Sequence, residues 1–305
     1  MQRSLICLTL LIAASAIAQS PAPAKAPMNG YSPDVKLPRY PDPYAGKPKV
    51  LFVADTHTGN QIAHDAVSHA MASMEEVARK AGIVVYLRTD TDWVSDEDTY
   101  GKGDYVKGGK KAAKGRSLKD FDAVIFYTNG ETEMTDAQKQ ALLAYVRGGK
   151  GFVGIHTATA TMYKYPDYAD MIGAYFDNHP WGIIPAKIKV ERPDFPGMDA
   201  FVGQPNVTEE FYQMMAPYDR TKVDVLARID PASVDLNSPN VHRTDADFPI
   251  AWIKNYGSGR VFYSSLGHPD SAWDDPRVTT MYLDAIKWAV GLIQYPVKPH
   301  PIPAN

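Results

Sequence analysis

Four histidines stand in short polar segments that look built for chemistry. His64 ends Thr58-Gly59-Asn60-Gln61-Ile62-Ala63-His64-Asp65, and His156 opens His156-Thr157-Ala158-Thr159. His179 lies in Phe176-Asp177-Asn178-His179-Pro180-Trp181, and His268 in Leu266-Gly267-His268-Pro269-Asp270. His57 follows Asp55-Thr56, and Glu209-Glu210 adds two adjacent carboxylates. Imidazole can act as base, acid or metal ligand near neutral pH. Two chemistries fit these residue types. In the first, a histidine removes a proton alpha to a ketone and the site stabilises the enediolate, giving elimination, hydration or isomerisation. In the second, two or three of His64, His156, His179 and His268 join Glu210 around a divalent metal, zinc or manganese, that polarises a carbonyl or activates water. The histidines are far apart in sequence, so no compact signature such as H-E-x-x-H favours the second. Taken singly, each histidine is more often a hydrogen-bonded structural group. Trp252, Trp273, Tyr163 and Tyr168 could stack on a sugar ring or fill the core; Trp252, inside a strand, reads as core, and Trp273, in a loop, as a pocket wall.

The elements that position these residues alternate. Unbroken apolar runs predict buried strands at residues 49–54, 83–87, 123–127 and 151–155. Further strands are expected at 187–191, 223–229, 250–254 and 260–264. Ile62, Ala66, Val67, Ala70, Met74, Val77 and Ala78 recur at helical spacing up to Gly82, which places His64 in the first turns of a helix. Thr135 and Gln138 have capping-box spacing and begin a second helix, and Asp275-Pro276 begins a third. Glu209 and Glu210 suit a helix N-terminus equally well. Alternating β and α segments point to an α/β, doubly wound, mostly parallel sheet with a strand-rich C-terminal elaboration. Ligands in such folds sit beyond the carboxyl ends of the strands. Thr128-Asn129-Gly130-Glu131, His156 and His268 fall there, and His57 and His64 follow the first strand. A strand-end residue is not core, so His156→Ala is expected to leave the fold intact.

The chain has 305 residues, 45% hydrophobic and 22% charged, with a formal net charge of −3. No basic field advertises nucleic acid. Arg3 followed by the apolar run from Leu5 to Ala14 and by Ala16-Ile17-Ala18 reads as a secretory signal peptide over residues 1–18. The single cysteine, Cys7, lies within it. A mature chain starting at Gln19 would carry no thiol and no membrane anchor, and would work in the periplasm or outside the cell. Residues 19–48 read as a Pro-rich linker, 49–292 as one domain and 293–305 as a Pro-rich tail.

From about residue 49 to 292 the sequence resembles the ThuA-like (trehalose-utilisation) family. The resemblance is carried by Gly148-Gly149-Lys150-Gly151-Phe152-Val153-Gly154-Ile155-His156, by Gly173-Ala174-Tyr175-Phe176 with His179-Pro180, and by Glu209-Glu210-Phe211-Tyr212. Ile250-Ala251-Trp252, Tyr256-Gly257-Ser258-Gly259-Arg260-Val261-Phe262-Tyr263 and Leu266-Gly267-His268 complete it. It implies a flavodoxin-like α/β sheet of the class I glutamine amidotransferase-like type. True amidotransferases present a cysteine where this chain has His156, so thiol chemistry does not carry over. His64, Asp65 and Glu210 match family positions, although the family's preceding arginine is absent and the loop here is longer. The resemblance implies a small-molecule carbohydrate as partner, in disaccharide or keto-sugar use. His64, His156, His268 and Glu210 are then the expected catalytic groups. His57, His179, Tyr163, Trp181, Trp273 and Arg260 are the expected substrate contacts. A non-catalytic sugar-binding module of the same fold is the alternative.

Overall fold

The computed structural model describes residues 43–54, 64–97, 116–204 and 206–303. Its centre is a sheet of eight strands. In chain order these are β1 (Lys49–Val53), β2 (Val84–Arg88), β3 (Ala123–Phe126), β4 (Gly151–Ile155), β7 (Ile188–Val190), β10 (Asp224–Ile229), β11 (Pro249–Tyr256) and β12 (Gly259–Ser264). The spatial order is β2-β1-β3-β4-β12-β11-β10-β7. The first five are parallel, in the 2-1-3-4-5 arrangement of flavodoxin-like folds. The last three add antiparallel strands at one side.

Strand periodicity divides the side chains between two cores. Val50, Phe52, Ala123, Ile125, Val153 and Ile155 face one way, where α1 (Val67–Lys80) and α4 (Pro276–Ala289) pack. Leu51, Val53, Val124, Phe126 and Phe152 face the other, toward α2 (Asp136–Arg147) and α3 (Pro166–Ile172). Full burial of each large apolar side chain contributes roughly 1.5–3 kcal/mol. α1 buries Ala70, Met74 and Ala78, one per turn, and these small residues let it lie close to the sheet. α2 has the capping box expected of Thr135 and Gln138, and Asp275 caps α4 by accepting the Arg277 N–H. The start of α1 differs from expectation. It begins at Val67, and residues 55–63, including Ile62 and His57, lie outside the described residues, as does most of the polar 95–117 loop.

Between β4 and β10 the chain leaves the sheet in short pieces. β5 (Tyr175–Asn178) pairs with β9 (Gln213–Met215), and β6 (Ile183–Ala186) pairs with β8 (Val207–Glu210). Glu209 and Glu210 therefore end a strand rather than begin a helix. The two-stranded ladders arch this excursion toward the carboxyl ends of β4 and β12. The Pro-rich tail packs on the domain: Tyr295 O accepts from Trp288 Nε1, and the Lys298 N–H donates to Asp224. Among the described residues no helix is long and apolar enough to cross a membrane.

Candidate functional site

β4 stops at His156 because the backbone turns there. His156 has φ +45°, a left-handed conformation uncommon for a residue with a Cβ. Three partners hold it. Tyr263 Oη donates to the His156 carbonyl at 2.7 Å, His156 Nδ1 lies 2.7 Å from the Ser265 carbonyl, and Tyr212 Oη lies 2.6 Å from Nε2. A carbonyl only accepts, so Nδ1 carries the proton and Nε2 presents its lone pair to the site. Metal-binding imidazoles are commonly oriented in this way. His156 is fully buried, and burial pushes its pKa down. The expectation that a strand-end residue lies outside the core fails here, because the β8–β9 excursion covers this end of the sheet. His156→Ala would leave the Ser265 carbonyl without its donor and open a cavity.

His268 comes from the loop after β12. Its neighbour Gly267, at φ +124°, is pinned on both sides of its peptide unit. The Gly267 N–H donates to Glu209 Oε2 at 2.6 Å, and its carbonyl accepts from Tyr127 Oη at 2.8 Å and Trp273 Nε1 at 3.1 Å. The His268 and Glu210 N–H groups donate to Glu209 Oε1 at 2.9 and 3.0 Å. Glu209 is thus a buried clamp between β8 and the His268 loop. Burial raises its pKa to about 7 against the opposing pull of those three N–H donors.

The clamp brings ring nitrogens and a carboxylate oxygen together. His268 Nδ1 lies 3.1 Å from His156 Nε2 and 3.2 Å from Glu210 Oε2, and His156 Nε2 lies 3.5 Å from Glu210 Oε2. Burial opposes ionisation of Glu210, but the His156 and His268 imidazoles beside it outweigh that and hold the carboxyl well below its usual range. The Glu210 hydrogen bond is also the main cause raising the pKa of His268. His64 closes the group from the segment before α1, its ring centre 5.0 Å from that of His156 and 4.8 Å from that of His268. It precedes the helix rather than lying in its first turns, and its carbonyl accepts the Val67 N–H at 3.1 Å. Burial, then the His156 and His268 neighbours, push its pKa down to about 4, so it is neutral at pH 7. One ligand atom from each of His64, His156, His268 and Glu210 lies within 4.8 Å of the others. Three imidazoles and a carboxylate are a donor set suited to zinc, manganese or another first-row divalent ion.

A cavity of about 700 Å³ opens over this group. Phe176, Tyr163, Ile183, Asp65, Asn129 and Asp270 are among the residues that line it. Tyr163 uses its hydroxyl on the Phe176 carbonyl at 3.0 Å, which leaves its ring as the surface it offers. His179 lies at the rim, half exposed, with Nε2 3.7 Å from Glu210 Oε1. It is outside the four-residue group, so of the four histidines expected as possible ligands three join Glu210 and His179 does not.

Three expected contacts lie elsewhere. Trp273 is buried behind the site, stacked on Tyr282 at 5.4 Å, and supports Gly267 instead of walling the cavity. Trp181 packs edge-on against Phe248 and donates to the Asp235 carbonyl at 2.8 Å. Arg260, the second residue of β12, lies opposite Gly151, at the far end of the sheet, and donates to the Trp288 carbonyl and Gln294. His57 lies outside the described residues. Trp252 is core as expected, with no exposed surface. Sequence reasoning missed Tyr212 as a site residue. Its signal was the Glu209-Glu210-Phe211-Tyr212 run, whose tyrosine follows two residues after the acid.

Comparison with known proteins places this geometry in a family. The chain is similar in structure to a ThuA-like protein from Bacteroides uniformis, with 24% identity and a TM-score of 0.59 over 82% of this chain and 95% of that one. A ThuA-like protein from Parabacteroides merdae aligns at 17% identity and a TM-score of 0.55, covering 80% and 90% of the two chains. No curated protein matches the sequence significantly. The family model described as "ThuA: Trehalose utilisation" matches residues 49–289, a stretch that includes every residue of the His64–His156–His268–Glu210 group. The chain therefore belongs to the ThuA family, which supports a carbohydrate-related role.

Proposed function

We propose that the chain is a carbohydrate-processing enzyme that acts on a disaccharide or keto-sugar, with a divalent metal held by His64, His156, His268 and Glu210. One observation supports this above the others. His156 Nε2, His268 Nδ1 and Glu210 Oε2 converge within 3.5 Å, close enough for one cation to take a lone pair from each. The family supplies the carbohydrate context, and the cavity volume is of the size that takes a small ligand. A metal in this place would polarise a sugar carbonyl or activate water. The chain's own groups have distinct tasks. Glu209 fixes the loop that carries His268. His179, at the rim beside Glu210, stands where a proton can pass between the site and solvent. Phe176 and Tyr163 offer ring faces to a sugar ring. The reading extends to a periplasmic or secreted setting, on the strength of the amino-terminal Arg3, the apolar run and the Ala16-Ile17-Ala18 site.

The test is to incubate the purified protein with 3-keto-trehalose and related keto-glycosides, with zinc or manganese and with a chelator. Metal-dependent product formation is expected. Saturable binding without product under every condition would make the chain a sugar-binding module instead.

A further inference from the structure

Ile183 opens β6 and pairs in register with Glu210 on β8. Directly opposed residues of an antiparallel pair project to the same face. The Ile183 side chain therefore lies on the Glu210 face, and both residues line the cavity. Alternation sends the next pair, Ile184 and Glu209, to the opposite face, where Ile184 packs on the core and Glu209 is buried. Ile183 is the reverse case, at 51% exposure. The outward face of such a ladder ordinarily carries polar side chains. Of the large apolar side chains exposed among the described residues, only Ile183 and Tyr163 line this cavity.

The two differ in what they can hold. Tyr163 and Phe176 are joined by the 3.0 Å hydrogen bond from Tyr163 Oη to the Phe176 carbonyl, and their rings can stack on a sugar. Phe176 in turn touches Tyr212, with ring centres 4.3 Å apart, so this aromatic strip reaches the partner of His156. A branched aliphatic side chain has no π face and no hydrogen-bonding group. It favours a ligand only by removing apolar surface from water, and a hydroxyl set against it gives up water without a new partner. We infer that Ile183 is a specificity-determining residue that holds an apolar aglycone, aryl or alkyl, of a glycoside whose sugar ring lies on Tyr163 and Phe176. The inference rests on the carbohydrate reading above and narrows its substrate class from a disaccharide to a glycoside with an apolar aglycone.

Phenyl 3-keto-glucoside and 3-keto-trehalose share the sugar and differ in the second ring, which is hydrocarbon in one and hydroxylated in the other. With zinc present, the wild type should bind the phenyl compound about tenfold more tightly, read by titration calorimetry or, where product forms, by KM. Ile183→Thr keeps the β-branched shape at an exposed strand position, so its melting temperature should match that of the wild type. It should cut the preference for phenyl over trehalose about fivefold while zinc affinity holds. Equal binding of the two probes by the wild type, or tighter binding of 3-keto-trehalose, would overturn the inference and leave the carbohydrate reading standing. A preference unchanged in Ile183→Thr would do the same. A loss of zinc affinity in that variant would mean that Ile183 acts through Glu210, and would also overturn the inference. A wild type that binds neither probe would overturn both readings.

Discussion

Gly267→Ala tests whether the site is held by its frame. The Gly267 φ of +124° is a conformation that residues with a Cβ rarely adopt, and forcing it costs ~1–3 kcal/mol. The new Cβ would sit 2.9 Å from Trp273 Cζ2 and 3.4 Å from Ile155 Cγ2. Trp273 cannot swing away, because it is buried, stacked on Tyr282 and bonded to the Gly267 carbonyl. Overpacking of this kind adds ~1–3 kcal/mol. The total is ~2–6 kcal/mol, equivalent for a domain of this size to a melting temperature lower by roughly 5–15 °C. Gly82→Ala is the control. Gly82 also has positive φ, +81°, but a Cβ there meets nothing within 4 Å, so only the backbone cost of ~1–2 kcal/mol applies. Urea unfolding of both variants isolates the Trp273 contact as the difference between them. The same displacement moves His268, so metal affinity should fall at least about tenfold in Gly267→Ala and stay unchanged in Gly82→Ala. Equal stability of the two variants, with equal metal affinity, would refute the claim that Glu209, Trp273 and Tyr127 fix the His268 loop.

Other outcomes follow from the same structure. Tyr212→Phe removes the hydroxyl placed 2.6 Å from His156 Nε2, so zinc should bind about fivefold tighter by titration calorimetry, corresponding to ~1 kcal/mol; weaker binding would mean the hydroxyl supports the ion. Asp247 is buried and accepts from Arg220 Nε at 2.9 Å, Arg220 Nη2 at 2.6 Å and Tyr218 Oη at 2.7 Å. Burial raises its pKa, but the Arg220 hydrogen bonds outweigh that and leave it below the usual 3.8. Its stabilisation is therefore complete above pH 3.8 and lost as pH falls through the lower folded value. Asp247→Asn should cost ~3–5 kcal/mol at pH 7, and urea midpoints should show that gap narrowing below pH 3.8; a gap independent of pH would be contrary.

The long elements were legible in the sequence because burial on both faces leaves unbroken apolar runs. β1, β3 and β4 read in this way, and α4 showed its stripe from Val278 to Ala289. The histidine-bearing strand ends followed from the rule that ligands sit at the carboxyl edge. The excursion between β4 and β10 was not legible. β5, β6, β8 and β9 are three or four residues each, too short for a period to show, and each is fixed by a partner distant in sequence. Glu210 therefore suited a helix start as well as a site, and its meeting with His268 depends on pairing that only the folded chain reveals. Arg260 was misread for a simpler reason. It enters β12 from the Gly257-Ser258-Gly259 turn, and an entering residue lies at the end of a parallel strand opposite the site. Trp273 lies in a polar loop, yet its ring is drawn inward by stacking on Tyr282.

The central claim is that His64, His156, His268 and Glu210 form one metal site, and metal stoichiometry tests it most directly. Protein stripped with chelator, dialysed against zinc or manganese and analysed for elements should hold about one equivalent, and Glu210→Gln and His268→Ala should each lower the affinity at least about a hundredfold while remaining folded. Less than about a tenth of an equivalent in the wild type, or full occupancy in both variants, would contradict the account.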